Sequence, residues 1–303
     1  MIAKANVADK KQLHFLWKDA FSNLNRGAVD AYFNNFYHEK QCYLSKNDHD
    51  EILASIQVHD KVLSLHDKNI KASYLVGGFM RPNVLQETMT TLITEVLDDV
   101  SRTDIITLCR TDHPEWFEPF GFETVVENYI YTISAVSLPT LGMEGIVRDP
   151  SPESLLEVYD RFTNHFTAFF KRDANYFSKL KKTMREQNGQ IIGLQENGEL
   201  VAYAIVTNAP HSVEVVECCY DKSGSLVRLL AFVSRSVQDV RLHATVSERL
   251  DKIFTESHRV KAPFLIARVN DKELFERLYH IKIISAYSAF HAFGKPVFNR
   301  DFL

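Results

Sequence analysis

KASYLVGGFMRPNVLQETMTTLITEVLDDV, residues 71–100, decides the fold. Lys71–Phe79 is rich in strand-forming residues and closes on the glycines Gly77 and Gly78. From about Val84 the apolar period changes. Leu85, Met89, Leu92, Ile93, Val96 and Leu97 recur at helical spacing, which predicts an amphipathic helix over Val84–Val100. A second buried strand follows at Asp104–Arg110, DIITLCR. Strand, helix and strand in this order predict a mixed sheet with helices on its faces.

Working toward the N-terminus, residues 2–6 read as a short strand. Helices are predicted after Asp9, with Leu13, Leu16, Trp17 and Phe21 on one face, and over 28–38, with Ala31, Tyr32, Phe36 and Tyr37. Two strands, Gln41–Ser45 and Glu51–Val58, flank the polar connection KNDHD, and Leu63 and Leu65 belong to another short strand. Toward the C-terminus, a short helix at His113–Phe117 leads through Phe120-Gly121-Phe122 to a long alternating strand, Glu123–Ala135.

The pattern then restarts. VSLPTLGM, residues 136–143, has the composition of a linker. Beyond it come a strand at Glu144–Val147 and helices at 151–168 and 172–187. The strands Gln190–Gln195 and Glu199–Thr207 are paired around Glu196-Asn197-Gly198, a hairpin signal. Next are a strand at Val213–Cys219, a helix over 223–237, a strand at 239–245, a helix over 246–256, a strand at 263–269 and a helix over 271–279. The expected organisation is a first domain over 1–135, a second over 144–288 and a C-terminal tail over 289–303. The fold class is α/β with mixed sheets, in two similar units.

Composition agrees. A chain of 303 residues suits about two domains. The apolar share is 45% and the charged share 24%, enough apolar residue to bury a substantial core. A net charge of −4 gives no electrostatic case for a nucleic-acid or membrane partner. The N-terminus lacks a signal-peptide core, and no apolar run approaches the ~18 residues of a spanning helix. Cys42, Cys109, Cys218 and Cys219 show no zinc spacing, so no metal site is expected, and free thiols fit a cytoplasmic location. Cys218 and Cys219 are consecutive on a strand and face opposite sides. There is no nucleophile elbow, P-loop or dinucleotide fingerprint.

Several segments resemble the Eis-type tandem acetyltransferases of the GNAT superfamily. Leu16-Trp17 with Ala20-Phe21 resembles their opening helix, and Ser73–Gly77 their fourth strand. Pro82 stands where their acyl-CoA loop begins, and Trp116–Phe122 resembles their F-Y-x-x-F-G-F segment. In the second half, Val201–Ile205 and Pro263–Leu274 resemble two further family segments. The resemblance spans most of residues 10–275. It implies two tandem GNAT-like units and a cofactor, acetyl-CoA, contacted by the strand carrying Gly77, Gly78, Phe79 and Met80. It also implies a third, sterol-carrier-like domain that these residues do not contain. Ala292–Leu303 resembles the family's closing aromatic tail, as if the domain between had been deleted. In the family the C-terminal carboxylate, here that of Leu303, is expected in the first unit's active site; an ordinary C-terminal strand is the other reading.

The sequence departs from this family where the chemistry lies. The family's phosphate-binding pattern, R/Q-x-x-G-x-G/A, cradles a diphosphate on backbone N–H groups at a helix N-terminus. The aligned residues here are Leu85, Gln86, Glu87, Thr88, Met89 and Thr90. Leu85 replaces the arginine, Thr88 and Thr90 take the small positions, and Glu87 adds negative charge. A like charge about 4 Å away costs about 1–4 kcal/mol at effective dielectrics of about 80 to 20. Arg81 would supply a cation under a shifted alignment, but no glycine follows it at the needed spacing. Phe117 takes the position of the family's tyrosine acid and has no proton to give. His113, Glu115 and Glu118 are candidate bases beside it. Tyr129 and Tyr131 are alternative acids, with packing as their plainer role. Acetyl-CoA is therefore expected to bind weakly or not at all. Two functions stay open: acetyl transfer to a primary amine of a small molecule or peptide, and a non-catalytic binding or scaffolding role. A homo-oligomer is compatible with either.

Overall fold

A computed structural model describes residues 2–24, 27–209 and 211–301. The chain divides into two compact units. The first comprises the chain up to Val125 with Leu265–Ala292, and the second Val126–Phe264 with the segment from Phe293.

The first unit opens with β1 (Ile2–Lys4), α1 (Asp9–Ala20), α2 (Ala28–Asn35), β2 (Cys42–Lys46), β3 (Ile52–Leu65), β4 (Lys68–Met80), α3 (Gln86–Val100) and β5 (Ile106–Arg110). Strands β1 to β4 pair antiparallel in sequence order, and β5 joins β4 in parallel across the α3 crossover. The separate strand expected at Leu63–Leu65 is the end of β3. Its residues pair without interruption from His59 to Leu65 and turn into β4 through His66-Asp67, both at positive φ. Such a turn matches the strand twist of a two-residue hairpin. Leu92, Ile93, Val96, Leu97 and Val100 of α3 pack on Ile56, Val58 and Leu75 on one face of the sheet. On the other face, Leu13 and Trp17 of α1 and Val29, Tyr32 and Phe33 of α2 pack on Cys42, Leu44, Ile52 and Phe79. Ala54, Ile56 and Val58 face the first core by strand alternation, and the irregularity at Leu53, where Ser45 lies opposite Ala54 and Lys46 opposite Ile52, turns Ile52 to the second.

Strand β6 (Glu123–Ser134) leads out of the first unit. The second unit continues with β7 (Ile146–Val147), α4 (Pro152–Thr163), β8 (Phe169–Phe170), α5 (Ala174–Glu186), β9 (Gln190–Glu196), β10 (Glu199–Ala209), β11 (Ser212–Tyr220), α6 (Ser223–Val233) and β12 (Asp239–Thr245). Its sheet runs β7-β9-β10-β11-β12 and closes on the Asn128–Ser134 part of β6, antiparallel to β12. Leu226, Leu229, Leu230 and Val233 of α6 cover one face, packed on Ala204, Val215 and Leu242. Ser151 and Asp173 cap α4 and α5 with their side chains.

The helix expected over 246–256 is absent. Thr245 and Glu248 form a capping box, but Arg249 at φ 52° stops the turn after Val246–Glu248, and a second single turn follows at Leu250–Lys252. The chain then returns through β13 (His258–Val269), whose Leu265–Val269 pairs antiparallel with β5, and ends the first unit with α7 (Lys272–Tyr279) and α8 (Ala286–Phe290).

The order α-α-β-β-β-α-β thus occurs twice, as α1 to β5 and as α4 to β12 with the two-residue β8 inserted. Each repeat is followed by a strand that pairs with the last strand of the other: β6 with β12, and β13 with β5. The boundary by contacts therefore falls within β6, between Val125 and Val126, and not at 136–143, and residues 265–292 return to the first unit. No helix among the described residues is long and apolar enough to cross a membrane.

Candidate functional site

The chemistry-bearing strand of the first unit is β4. It pairs with β5 only from Ala72–Ile106 to Leu75–Cys109, after which β4 runs on to Met80 without that neighbour. Parallel strands that separate in this way leave the backbone groups of one edge unpaired by the ladder, and such groups demand partners. On its other side β4 is bulged. Val76 lies opposite Gln57 and Phe79 opposite Ser55, so Gly77 and Gly78 together face Ile56. Gly77 has φ +61°, the left-handed conformation of a bulge glycine. The result is a wedge, open beyond Leu75 and Cys109, whose β4 edge is glycine backbone.

The two glycines have different tasks. A Cβ on Gly77 would lie 2.6 Å from Cζ3 of Trp17 and closer to other atoms of the indole. Gly77 is therefore required by its backbone conformation and by the indole pressed against it. At Gly78 a Cβ would meet only Ile56, at ordinary contact distance of 3.8 Å, and the residue is exposed. Trp17 itself is buried, stacked on Tyr32 at 5.0 Å between centroids, and donates from Nε1 to Ser55 Oγ at 3.2 Å. Phe79 faces the same aromatic core, while Met80 packs toward α3 on the opposite face.

Sequence reasoning missed Gln57, fully buried on β3 opposite Val76. Among the described residues its amide finds no oxygen or nitrogen partner, and the Cys42 thiol across the ladder is its polar neighbour. Its signal was a glutamine inside the apolar run ILASIQV. Cys109, at the point where the wedge opens, is buried, and burial pushes its thiol up to about 12. That thiol stays protonated at neutral pH and is no nucleophile.

The N-terminus of α3 follows β4 closely. Leu85 is its N-cap, extended at φ −63° and ψ 138°, with no side chain capping the helix. Leu85, Gln86 and Glu87 are exposed, with Glu87 in the first turn. The Thr88 N–H donates to Leu85 O at 2.9 Å, and Thr90 Oγ1 donates to Gln86 O at 3.3 Å. Thr90 thus spends its hydroxyl on its own helix. The terminus has a favourable dipole but no glycine to let a diphosphate approach, and a carboxylate stands in its first turn. These residues do not fit the diphosphate of CoA. Half-buried Arg81, in the turn before the helix, makes no ion pair among the described residues; its backbone N–H donates to Leu53 O at 2.9 Å.

Phe117 caps a short turn, Pro114–Trp116, and begins another, Glu118–Phe120. Its ring packs on the core under α3 and meets Phe122 edge-on at 5.6 Å. A depression of about 400 Å³ beside it is lined by Pro114, Glu118, Gly121, Phe122, Glu123 and Thr124. The ring is thus a packing element and does not line that depression. His113, Glu115 and Glu118 are exposed, and His113 Nδ1 lies 3.0 Å from Glu115 Oε1. A hydrogen bond from its own backbone, then one from His113, hold the Glu115 carboxyl below its ordinary range, which weakens it as a base. Tyr129 and Tyr131 belong to the second unit, where Tyr131 is buried in the core beneath α6. Leu303 lies outside the described residues; the tail from Phe293 to Asp301 belongs to the second unit.

The second unit repeats the wedge. Strands β11 and β12 pair in parallel only from Ser212–Asp239 to Val215–Leu242, then continue to Tyr220 and Thr245. Helix α6 begins there at Ser223, after Lys222, again without a side-chain cap. Both Cys218 and Cys219 are buried, Cys218 in the core under α6. On the opposite face Glu217 accepts two hydrogen bonds from Arg172, at 2.6 and 2.8 Å, and one from Tyr203 at 2.6 Å.

No protein-family model matches the chain, and no curated protein sequence matches it. Solved structures do. A protein of Enterococcus faecalis described as a probable N-acyltransferase superposes with a TM-score of 0.75 at 16% identity, covering 91% of this chain and 74% of its own. A GCN5-related N-acetyltransferase from Kribbella flavida gives 0.71 at 13% identity, with 89% and 72% covered. Eis1 from Mycobacterium abscessus gives 0.67 at 14% identity, with 91% and 75% covered. At such identities the likeness speaks for architecture, and it agrees with the wedge, the bulge and the crossover helix: the chain has the fold of the GCN5-related N-acetyltransferases.

Proposed function

We propose that the first unit is an N-acyltransferase site that holds an acyl thioester by the backbone of its wedge rather than by its phosphates. The wedge is the observation that carries this reading. Beyond Leu75 the β4 edge has no β5 partner, and Gly78 leaves it sterically open. Backbone N–H groups on that edge suit the amides of a pantetheine arm and the thioester carbonyl. The α3 terminus supplies little for the diphosphate, so acetyl-CoA binds with a dissociation constant above ~100 μM, or roughly 5.5 kcal/mol.

The reaction is direct attack by a neutral primary amine, of a small molecule or peptide, on the thioester carbonyl carbon. The C–N bond forms, the C–S bond breaks, and the amine loses a proton to solvent. Phe117 provides no acid for the departing thiolate. General acid assistance is worth about 10²–10⁴ in rate, and turnover is slower by that order.

A second reading, a non-catalytic binding protein on the same fold, is favoured by the half-buried Phe117 ring packing against the core. Thiol release from acetyl-pantetheine and acetyl-CoA, with a panel of primary amines, tests between them. The control is Gly78→Val, which adds bulk on the exposed β4 edge, where the nearest neighbour is Ile56 at ordinary contact distance. Amine-dependent release that falls at least tenfold in this variant, at unchanged melting temperature, supports transfer. No release from either thioester at millimolar concentration leaves the binding-protein reading.

A further inference from the structure

The wedge of the second unit is not open. Strand β11 runs from Val216 to Tyr220 without pairing to β12, yet the carbonyl of Cys218 on it accepts a hydrogen bond, from Arg300 Nη1 at 3.0 Å. The same guanidinium pairs with Glu248, just beyond the end of β12. Arg300 therefore joins the two arms of the wedge with one side chain. It is buried, as are its neighbours Asn299 and Asp301.

Glu248 is built to receive it. Its carboxylate accepts from Thr245 N–H at 2.7 Å and Thr245 Oγ1 at 2.8 Å, and Tyr220 OH donates to it at 3.1 Å. Tyr220 ends β11 and Thr245 ends β12, so the receptor group is fixed from both sides.

The rest of the segment is recognised as an extended peptide is. Thr167 N–H donates to Pro296 O at 2.9 Å, and Phe298 N–H donates to Thr167 O at 2.8 Å. Asn299 Nδ2 donates to Ala168 O at 3.2 Å. Phe298 is wholly buried between Phe162 and Phe166, with centroids at 5.3 and 5.2 Å. Among the described residues its strand pairing is an isolated bridge, Thr167 to Val297. An extended segment with so little ladder pairing frays unless it is tied down. This one is tied by an aromatic side chain in a pocket and an arginine on a carboxylate, the features of strand-addition peptide recognition. Burying an arginine is costly unless it is paired, and its best-attested benefit is register.

The geometry points to the β11–β12 wedge as a peptide-binding slot whose ligand is this chain's own segment Val297–Asp301, anchored by Arg300. While the segment is seated, the second unit takes no acyl thioester in that wedge. The slot's ligand class is an extended peptide bearing an aromatic residue two positions before an arginine.

The test uses the full chain with a protease site inserted at the exposed Phe293-Gly294. After cleavage of the folded protein, the tail is expected to co-elute with the body in gel filtration. A fluorescein-labelled synthetic peptide of residues 293–303 then replaces it. The same peptide with Arg300→Met binds at least ~30-fold more weakly, the scale set by removing one partner of a buried ion pair. Equal binding by the two peptides, or loss of the cleaved tail from a body that stays folded, overturns the proposal. Hydrogen exchange of the uncut chain decides the matter if cleavage unfolds the second unit. In the Arg300→Met chain the amides of 297–301 and of Val216–Tyr220 exchange at least ~10-fold faster than in the parent if the slot exists. Unchanged exchange in both segments overturns it.

Discussion

Gly77→Ala places a methyl group where the Trp17 indole lies. Two costs combine. At φ +61° an L-residue pays roughly 1–2 kcal/mol relative to glycine. The added Cβ falls inside contact distance of several ring atoms of a buried, stacked tryptophan, and overpacking of this kind costs about 1–3 kcal/mol. The expected loss is about 2–5 kcal/mol in the first unit, or roughly 5–15 °C in its melting temperature for a unit of this size. Guanidinium unfolding followed by tryptophan fluorescence measures it, because Trp17 is buried and the other tryptophan, Trp116, is exposed. Gly78→Ala is the control. Its Cβ meets only Ile56, so the change lies within about 1 kcal/mol of the parent. In a Trp17→Leu background the steric part disappears and the cost of Gly77→Ala falls to about 1–2 kcal/mol. A loss below about 0.5 kcal/mol in the parent background, or the same loss in both backgrounds, would refute the placement of the indole on the bulge.

In the second unit, Arg172→Met strands the buried Glu217 carboxylate and costs about 3–5 kcal/mol by denaturant titration, whereas adding Glu217→Gln recovers part of the loss. Asp149 is held below its ordinary pKa by a hydrogen bond from Lys181, with Arg185 adding to it. A depressed carboxyl stabilises above its unfolded value near 4 and loses that contribution as pH falls through its folded value. Because the side chain is more than half exposed, Asp149→Asn costs no more than about 0.5 kcal/mol at pH 7, and the difference from the parent shrinks as pH falls through the lowered folded value. The combined substitutions Leu85→Arg, Thr88→Gly, Thr90→Gly and Phe117→Tyr raise acetyl-CoA affinity by calorimetry at least tenfold if the α3 terminus is an impaired phosphate cradle. An unchanged affinity in a folded variant means the terminus never faces the cofactor.

Much of the site region was legible locally. Helix α3 follows its apolar stripe, and the turn at Asn197-Gly198 has both residues at positive φ, as the sequence predicts for a tight hairpin. The second repeat of elements was visible as well. What local pattern does not carry is which sheet a strand joins. Strand β6 alternates in the same way whichever unit completes around it, so the exchange of β6 and β13 had no signal and the boundary was expected in the linker. The roles of the two glycines were equally hidden. Their doublet marks a bulge, but only the position of Trp17 separates a packing glycine from an accessible one. The sequence reads Phe117 as a residue without a proton to give, but carries no sign that its half-buried ring packs against the core under α3. Arg300 gave no sign of burial, since arginine side chains are ordinarily solvated.

Calorimetric titration of the full chain with acetyl-CoA and, separately, with acetyl-pantetheine measures the wedge and the phosphate cradle apart. A site that grips the thioester arm binds both, acetyl-CoA above ~100 μM, with the two affinities within about tenfold, since half-buried Arg81 in the turn before α3 is worth no more than about 1.4 kcal/mol to a diphosphate. An acetyl-CoA dissociation constant near ~1 μM with acetyl-pantetheine far weaker, or no heat from either thioester at millimolar concentration, would contradict it.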